Sequence, residues 1–368
     1  MEKITAKNPK KITVLASMLD WGLGHTTRSI PILKEFVNQQ FTLIVAGTQS
    51  QISLLKKEIP QANYVFLEGY KIRYSSGKFS FFLKILGQMP KILFRIFQEN
   101  NWVKAFINQH PVDIIYSDNR PGFRNKRIYS LYLSHQLTIK TGNTLLSKVA
   151  TAIHRFFINR FNECWIPDDQ NNRIAGKLSE YPKSDIKVNY IGLLSRFYKI
   201  DMGKKYNLCV ILSGPEPQRT ILEKIIINQL KSTAYKTLIL RGLPSENTIN
   251  TNITPNIISF NHLSTNDLNK IISESEIVIC RSGYSSIMDL ISMGSKAILI
   301  PTPGQGEQEY LAKYLSEKKY FISANQDNFS LIKCVEQINK APLTIPIFDF
   351  SIFKKYVSDL NHVAKQKK

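Results

Sequence analysis

The stretch IVICRSGYSSIMDLISMGSKAILIP spans Ile277 to Pro301. Ile277–Cys280 is an unbroken apolar run of strand length, and Arg281-Ser282-Gly283 is a turn. Ser285–Met293 follows with helical spacing, and Ala297–Pro301 is a second apolar strand. Strands without polar alternation on either side of a helix indicate a parallel sheet covered on both faces. Outward from this unit the rhythm continues. Leu208–Leu212, Thr237–Arg241 and Ile257–Phe260 read as strands. Gln218–Leu230, Thr265–Glu274, Glu307–Ser316 and Leu331–Asn339 read as helices.

An earlier cycle fills the first half. Strands are expected at Lys11–Leu19, Phe41–Thr48, Tyr64–Glu68, Val112–Asp118 and Ile128–His135. Helices are expected at Thr26–Gln39, Ser50–Ile59 and about Asn143 to Asn162. Gly192–Tyr206 reads as a linker and Ile352–Gln366 as a last basic helix. The fold class is α/β, with two Rossmann-like, doubly wound parallel-sheet domains at 1–195 and 196–345 and a C-terminal helix at 346–368. Two domains also suit 368 residues, and 43% hydrophobic with 21% charged residues excludes a wholly disordered chain.

Such sheets bind ligands beyond the carboxyl ends of their strands, so the residues directly after each strand are the candidates. The first strand is followed by Asp20-Trp21-Gly22-Leu23-Gly24-His25-Thr26-Thr27-Arg28. Gly22 and Gly24 allow a tight turn and close approach of a ligand, and Thr26 or Thr27 can cap the helix. The pattern is neither GxGxxG nor a Walker loop, which argues against a nicotinamide cofactor and an NTPase. His25 is the preferred general base, since an unperturbed imidazole titrates nearest neutral pH; Asp20 and the strand-end Asp118 are the alternatives. In the second half, the amides and hydroxyls of Ser282, Gly283 and Ser285 suit a phosphate, with Arg281 adding charge. Asp289 is placed to accept ribose hydroxyls. The loop Pro301-Thr302-Pro303-Gly304-Gln305-Gly306-Glu307-Gln308-Glu309 suits sugar hydroxyls through Gln305, Gln308 and Glu309.

The charge is lopsided. Lys and Arg number 49 against 28 Asp and Glu, a net +21, and Lys71–Arg160 holds fifteen basic residues against Glu99, Asp113 and Asp118. A field of that sign attracts phosphates, nucleic acid or anionic lipid. Lys78–Lys104 adds Phe79, Phe82, Phe94, Phe97 and Trp102 beside Lys84, Lys91 and Arg95. That is the composition of an interfacial segment, and Pro90 is expected to divide it into two short helices. No run of about 18 uncharged apolar residues is present, and no apolar signal core follows Met1–Lys11. Four scattered cysteines (Cys164, Cys209, Cys280, Cys334) fit a reduced compartment and have no metal-ligand spacing. A cytoplasmic enzyme, peripheral on the inner face of the membrane, is the expectation.

These residues resemble glycosyltransferase family 28, the family of the peptidoglycan N-acetylglucosaminyltransferases. The similarity rests on Arg281-Ser282-Gly283, an acidic helix residue at Asp289, Ile298-Leu299-Ile300-Pro301 and Gln308-Glu309. Gly22-Leu23-Gly24-His25 looks like the family's Gly-Gly-His loop, and His135-Gln136 resembles its His-Glu-Gln segment. The resemblance covers most of the chain and is strongest from Asn256 to Tyr314. It implies a GT-B architecture, with donor groups at Ser213, Gly214 and Phe260 besides those already named, and with His135 and Asp118 on the acceptor side. It implies inverting transfer from a UDP-linked sugar to a glycan or lipid-linked acceptor of the cell envelope, with no cofactor and no obligatory metal, and a last helix returning to the first domain. One departure stands out. The family's Ser-Gly-Gly-Ser loop is here Ser213-Gly214-Pro215-Glu216-Pro217-Gln218-Arg219, where Glu216 would oppose a diphosphate and Gln218 and Arg219 would compensate. A sugar-nucleotide epimerase of the same fold is the alternative. A nucleic-acid binder ranks lower, because no recognised binding motif accompanies the basic half.

Overall fold

The computed structural model describes residues 11–70, 87–140, 144–181, 186–243 and 250–366. The first unit is a seven-stranded sheet: β1 (Thr13–Met18), β2 (Thr42–Gly47), β3 (Asn63–Phe66), β4 (Ile114–Asp118), β5 (Tyr129–Leu133), β6 (Glu163–Ile166) and β7 (Lys187–Tyr190). Its spatial order is β3-β2-β1-β4-β5-β6-β7, and every neighbouring pair is parallel. The second unit has β8 (Tyr206–Ile211), β9 (Thr237–Leu240), β10 (Asn250–Thr254), β11 (Ile257–Phe260), β12 (Ser275–Cys280), β13 (Lys296–Leu299) and β14 (Ile322–Ser323). Their order is β10-β11-β9-β8-β12-β13-β14, parallel except for β10 against β11. Both sheets therefore reverse direction beside their first strand, at β1/β4 and at β8/β12. Those two switch points are where doubly wound sheets open a crevice.

Helices α1 (Gly24–Asn38), α2 (Gln49–Glu58), α3 (Met89–Gln109) and α4 (Thr144–Ile158) cover the first sheet. Strand alternation separates them onto two faces. Val14, Ala16 and Met18 pack with Ile30, Leu33 and Phe36 of α1. Leu15 and Ile115 face the other way, onto Val103 of α3. Tyr132 and Cys164, in register with that second face, pack on Ile158 of α4. So α3 and α4 share one side of the unit, opposite α1. The second sheet carries α5 (Gln218–Leu230), α6 (Thr265–Ser273), α7 (Tyr284–Met293), α8 (Gly306–Glu317) and α9 (Leu331–Lys340). The last helix, α10 (Ile352–Gln366), packs against α1 and brings the Tyr356 ring within 6.2 Å of Trp165 in β6.

The structure corrects several readings. β6, β7, β10 and β14 were not expected. α1 opens at Gly24 rather than Thr26 and has no side-chain cap: the Thr26 hydroxyl accepts from Gln51 (3.0 Å), and the Thr27 hydroxyl donates to the Gly24 carbonyl. Pro90 stands in the first turn of α3, where a missing N–H costs nothing, and the helix that follows it is 21 residues long rather than short. The Phe79–Leu86 part of that segment lies outside the described residues.

Candidate active site

The first switch point assembles a buried carboxylate cluster. Ile114, Tyr116 and Asp118 alternate along β4 onto the α1 side of the sheet, as Met18 and its register partner Asp118 do together. His25, Arg28 and Ser29 lie at i, i+3 and i+4 of α1 and so occupy the helix face that meets Asp118. All three bind it. His25 Nδ1 is 2.9 Å from Asp118 Oδ1, Arg28 Nε donates to Oδ2 at 2.7 Å with Nη2 on Oδ1, and the Ser29 hydroxyl donates at 2.9 Å. Burial alone would raise the Asp118 carboxyl, but Arg28 and His25 beside it hold it well below the usual carboxylate range. Asp118 is inaccessible, whereas the His25 side chain is 16% exposed and keeps Nε2 free of Asp118. The arrangement can accept a proton at His25 while Asp118 fixes the ring.

The cluster continues into the second unit. Arg28 Nη1 lies 2.7 Å from His135 Nδ1, and His135 Nε2 lies 2.8 Å from Glu307 Oε1 at the start of α8. Burial lowers the His135 pKa, opposed by Glu307. The His135 ring stacks on Tyr284 at 4.2 Å, nearly parallel, and the Tyr284 hydroxyl donates to the Pro167 carbonyl. The Ser285 hydroxyl donates to the Gly24 carbonyl at 3.0 Å. The alternative base, Asp20, is placed differently: its Oδ1 accepts the Tyr70 amide, and it lies against Gly69 so closely that any Cβ there would collide with it.

At the second switch point the loops after β8, β12 and β13 converge. Arg281 is buried, and its terminal nitrogens donate to the carbonyls of Ile300, Pro301 and Gln218 and to the Gln326 side chain. It ties three segments together instead of presenting charge to the crevice, and burial pulls its pKa down to about 10. Asp289 is half-buried and accepts from Ser195 of the inter-sheet segment at 2.7 Å; burial pushes its carboxyl up to about 6. One of its two oxygens is thus committed to the inter-sheet segment. Arg219 neutralises Glu216 (Nε–Oε1 2.7 Å) and also binds Glu223, while Gln218 pairs with Gln326. The opposition of Glu216 to an anion is thereby removed, and Arg219 and Gln218 do not project as substitutes. Gln308 accepts the Thr302 amide and donates to Gln305, and Glu309 accepts the Gly304 amide. The Ser282 hydroxyl donates to the Gln308 carbonyl. These side chains shape the loop from within. Phe260 ends β11, partly buried against the core.

The turns at Gly214 and Gly283 leave backbone open to a ligand. Gly283 precedes α7 and has no atom within 4 Å of where a Cβ would stand. Gly214 has φ +95° and lies 3.5 Å, measured from that same position, from Thr302 Oγ1. Thr302 is 2% exposed, and its hydroxyl has no partner among the described residues. No sequence signal distinguished Thr302 from its loop neighbours. Among the described residues no three potential metal ligands come together.

Two parallel sheets facing one crevice, with a histidine–aspartate pair at one switch point and open glycine turns at the other, are the architecture of a GT-B glycosyltransferase. Residues 213–346 match the glycosyltransferase family 28 C-terminal domain. Over 328 residues the chain is 23% identical to the UDP-N-acetylglucosamine–N-acetylmuramyl-(pentapeptide) pyrophosphoryl-undecaprenol N-acetylglucosamine transferase of Haemophilus influenzae, covering 84% of this chain and 83% of that one. In fold it is similar to a glycotransferase of kitacinnamycin (TM-score 0.62, 13% identity, 98% of this chain and 96% of that one). It is also similar to MurG of Acinetobacter baumannii (TM-score 0.51, 15% identity, 96% and 99%). The chain is a glycosyltransferase of GT-B architecture that resembles the MurG type. The match to a transferase domain favours transfer over epimerisation.

Proposed function

We propose that the enzyme moves a hexosyl group from a UDP-linked sugar to a hydroxyl of a lipid-linked saccharide, with inversion. The observation that carries this reading is the His25–Asp118 pair, set across the crevice from the open turns at Gly214 and Gly283. His25 Nε2 takes the proton of the acceptor hydroxyl. The acceptor oxygen attacks the anomeric carbon from the face opposite the diphosphate. The bond from that carbon to the diphosphate breaks, and UDP leaves with the electron pair. Amides in the first turn of α7, aligned with its dipole, meet the diphosphate, and the Thr302 hydroxyl gains the partner it lacks. For the acceptor, a cavity of about 620 Å³ lies between the loops after β5 and β6 and the side of α8. Lys140, Arg173, Lys177, Lys313 and Lys318 line it together with Glu180 and Glu317, a net positive lining that suits an anionic acceptor group.

Thr302→Val tests the donor site. The variant is expected to bind UDP about tenfold more weakly in calorimetry, the size of one net hydrogen bond, while its urea stability without ligand does not fall. Unchanged UDP affinity would remove Thr302 from the donor site.

An anionic lipid surface is the second partner we propose. On α3, Leu93, Phe94 and Phe97 are exposed, and on α4, which shares that side of the unit, so are Leu145, Val149, Ile153 and Phe156. Arg160 lies over Phe156 at 3.9 Å, and Lys91, Arg95, Lys148 and Arg155 belong to the same two helices. Among the described residues no helix is long and apolar enough to cross a membrane. An apolar stripe edged by cations is instead a surface for lying on one. Wild type is expected to co-sediment with vesicles containing anionic lipid, to release as salt rises, and to ignore neutral vesicles. Phe97 and Phe156 changed together to Ser should stay folded and remain in the supernatant. Binding that survives this pair of changes refutes the assignment of these helices.

A further inference from the structure

The hydrogen bonds between the two units have a fixed direction. Arginine only donates, so His135 Nδ1 must accept from Arg28, the ring proton must sit on Nε2, and Glu307 must receive it. The imidazole is therefore neutral in this arrangement. Tyr284, itself tied to Pro167, stacks on one face of the ring. Glu307 belongs to the other unit and stands two residues beyond Gln305 at the end of the donor loop. Its contact with His135 joins the two units, beside those of Tyr284 with Pro167 and Ser285 with Gly24.

We propose that His135 and Glu307 form an interdomain clasp whose closure delivers a second carboxylate to the catalytic pair. With the clasp shut, one buried cation, Arg28, faces two carboxylates, Asp118 and Glu307. The cluster then carries a net negative charge that a proton arriving on His25 neutralises. With the clasp open, Arg28 and Asp118 balance each other, and the same proton leaves an uncompensated buried cation. Glu307 is already within electrostatic reach of both His25 and Arg28. His135 is the relay: its neutral ring joins the donor-loop helix to the arginine that holds Asp118. Glu307 and His135 are positioning residues, since neither touches the reacting atoms. Closure around a donor and activation of the base become one event, so acceptor hydroxyls are not deprotonated in an open, water-filled crevice.

The inference rests on the transfer reaction proposed above, and three measurements separate the two. Glu307→Gln keeps an acceptor oxygen for His135 and removes only the charge; Glu307→Ala removes both. Small-angle scattering without ligand is expected to find wild type and Glu307→Gln equally compact and Glu307→Ala more open. Turnover of UDP-N-acetylglucosamine, followed as UDP release, is expected to fall about tenfold in kcat for Glu307→Gln with KM within about twofold, the effect of one charge acting at short range in a protein. Glu307→Ala should lose kcat and raise KM as well. Calorimetry with UDP gives the third arm. If wild type binds no UDP, the transfer reading falls, while the scattering still decides whether the clasp exists. The clasp is overturned if Glu307→Gln turns over like wild type, which would make the contact structural only, or if Glu307→Ala stays as compact as wild type.

Discussion

His25→Ala is expected to lower turnover by about 10²- to 10⁴-fold, the usual contribution of a positioned general base. UDP affinity should stay at the wild-type value, because the residues we assign to the donor belong to the other sheet. The split follows from the geometry. Asp118 anchors Nδ1 at 2.9 Å and leaves the opposite nitrogen at the partly open edge of the ring. Loss of His25 removes the proton acceptor without disturbing the Arg28–Asp118 bonds beneath it. UDP release and UDP calorimetry on one folded preparation give both readouts. Near-normal turnover would return the role to Asp20. Asp118 could not take it over, since it is fully buried and bonded to three neighbours.

The fold was legible wherever strands were apolar throughout. TVLASM in β1 is buried throughout, with only Thr13 and Ser17 polar, and the apolar runs that end β12 and β13 are buried as well, so the strand pattern showed. β6 and β7 escaped because their polar residues are satisfied only by tertiary partners. Glu163 opens β6, yet it is buried, accepting from Tyr129 at 2.6 Å and from the Trp165 indole at 2.8 Å. β10 pairs antiparallel at an edge and has no apolar run, and β14 is two residues long. In the site, His25 and Asp118 could be picked out one by one, because each follows or ends a strand. Their pairing could not, since it depends on the crossover that puts β4 beside β1. Arg281 shows the opposite failure. A basic residue after a strand suggested a phosphate ligand, but the chain bends so that three carbonyls surround it. Local sequence carries no information on which way such a side chain turns. The i, i+3, i+4 set of His25, Arg28 and Ser29 was a usable signal. Polar residues at that spacing on the inner face of a helix call for a buried partner.

Asp118→Asn is expected to cost both activity and stability, and the two losses have different causes. The amide offers one acceptor oxygen where Arg28, His25 and Ser29 now share two, and its NH2 must face at least one of those donors. Arg28, almost fully buried, would lose its counter-ion, and breaking a buried pair from one side destabilises by about 3 to 5 kcal/mol. Urea unfolding at neutral pH measures that loss. The carboxyl is held below its ordinary value in the folded state, so its stabilisation is complete above about pH 4, the unfolded carboxyl range, and fades only as the solution becomes strongly acid. Titration of the Asp118 carboxyl itself therefore adds no pH dependence to the gap between wild type and Asp118→Asn from about pH 5 to 8. Catalysis fails separately, because an amide no longer fixes the His25 tautomer or offsets its positive charge after proton transfer. Turnover should fall about as far as in His25→Ala, by roughly 10²- to 10⁴-fold, since the two act as a unit. The double variant should then be no slower than either single one. If the losses multiply instead, or if Asp118→Asn is destabilised but fully active, Asp118 supports the fold and His25 works without it.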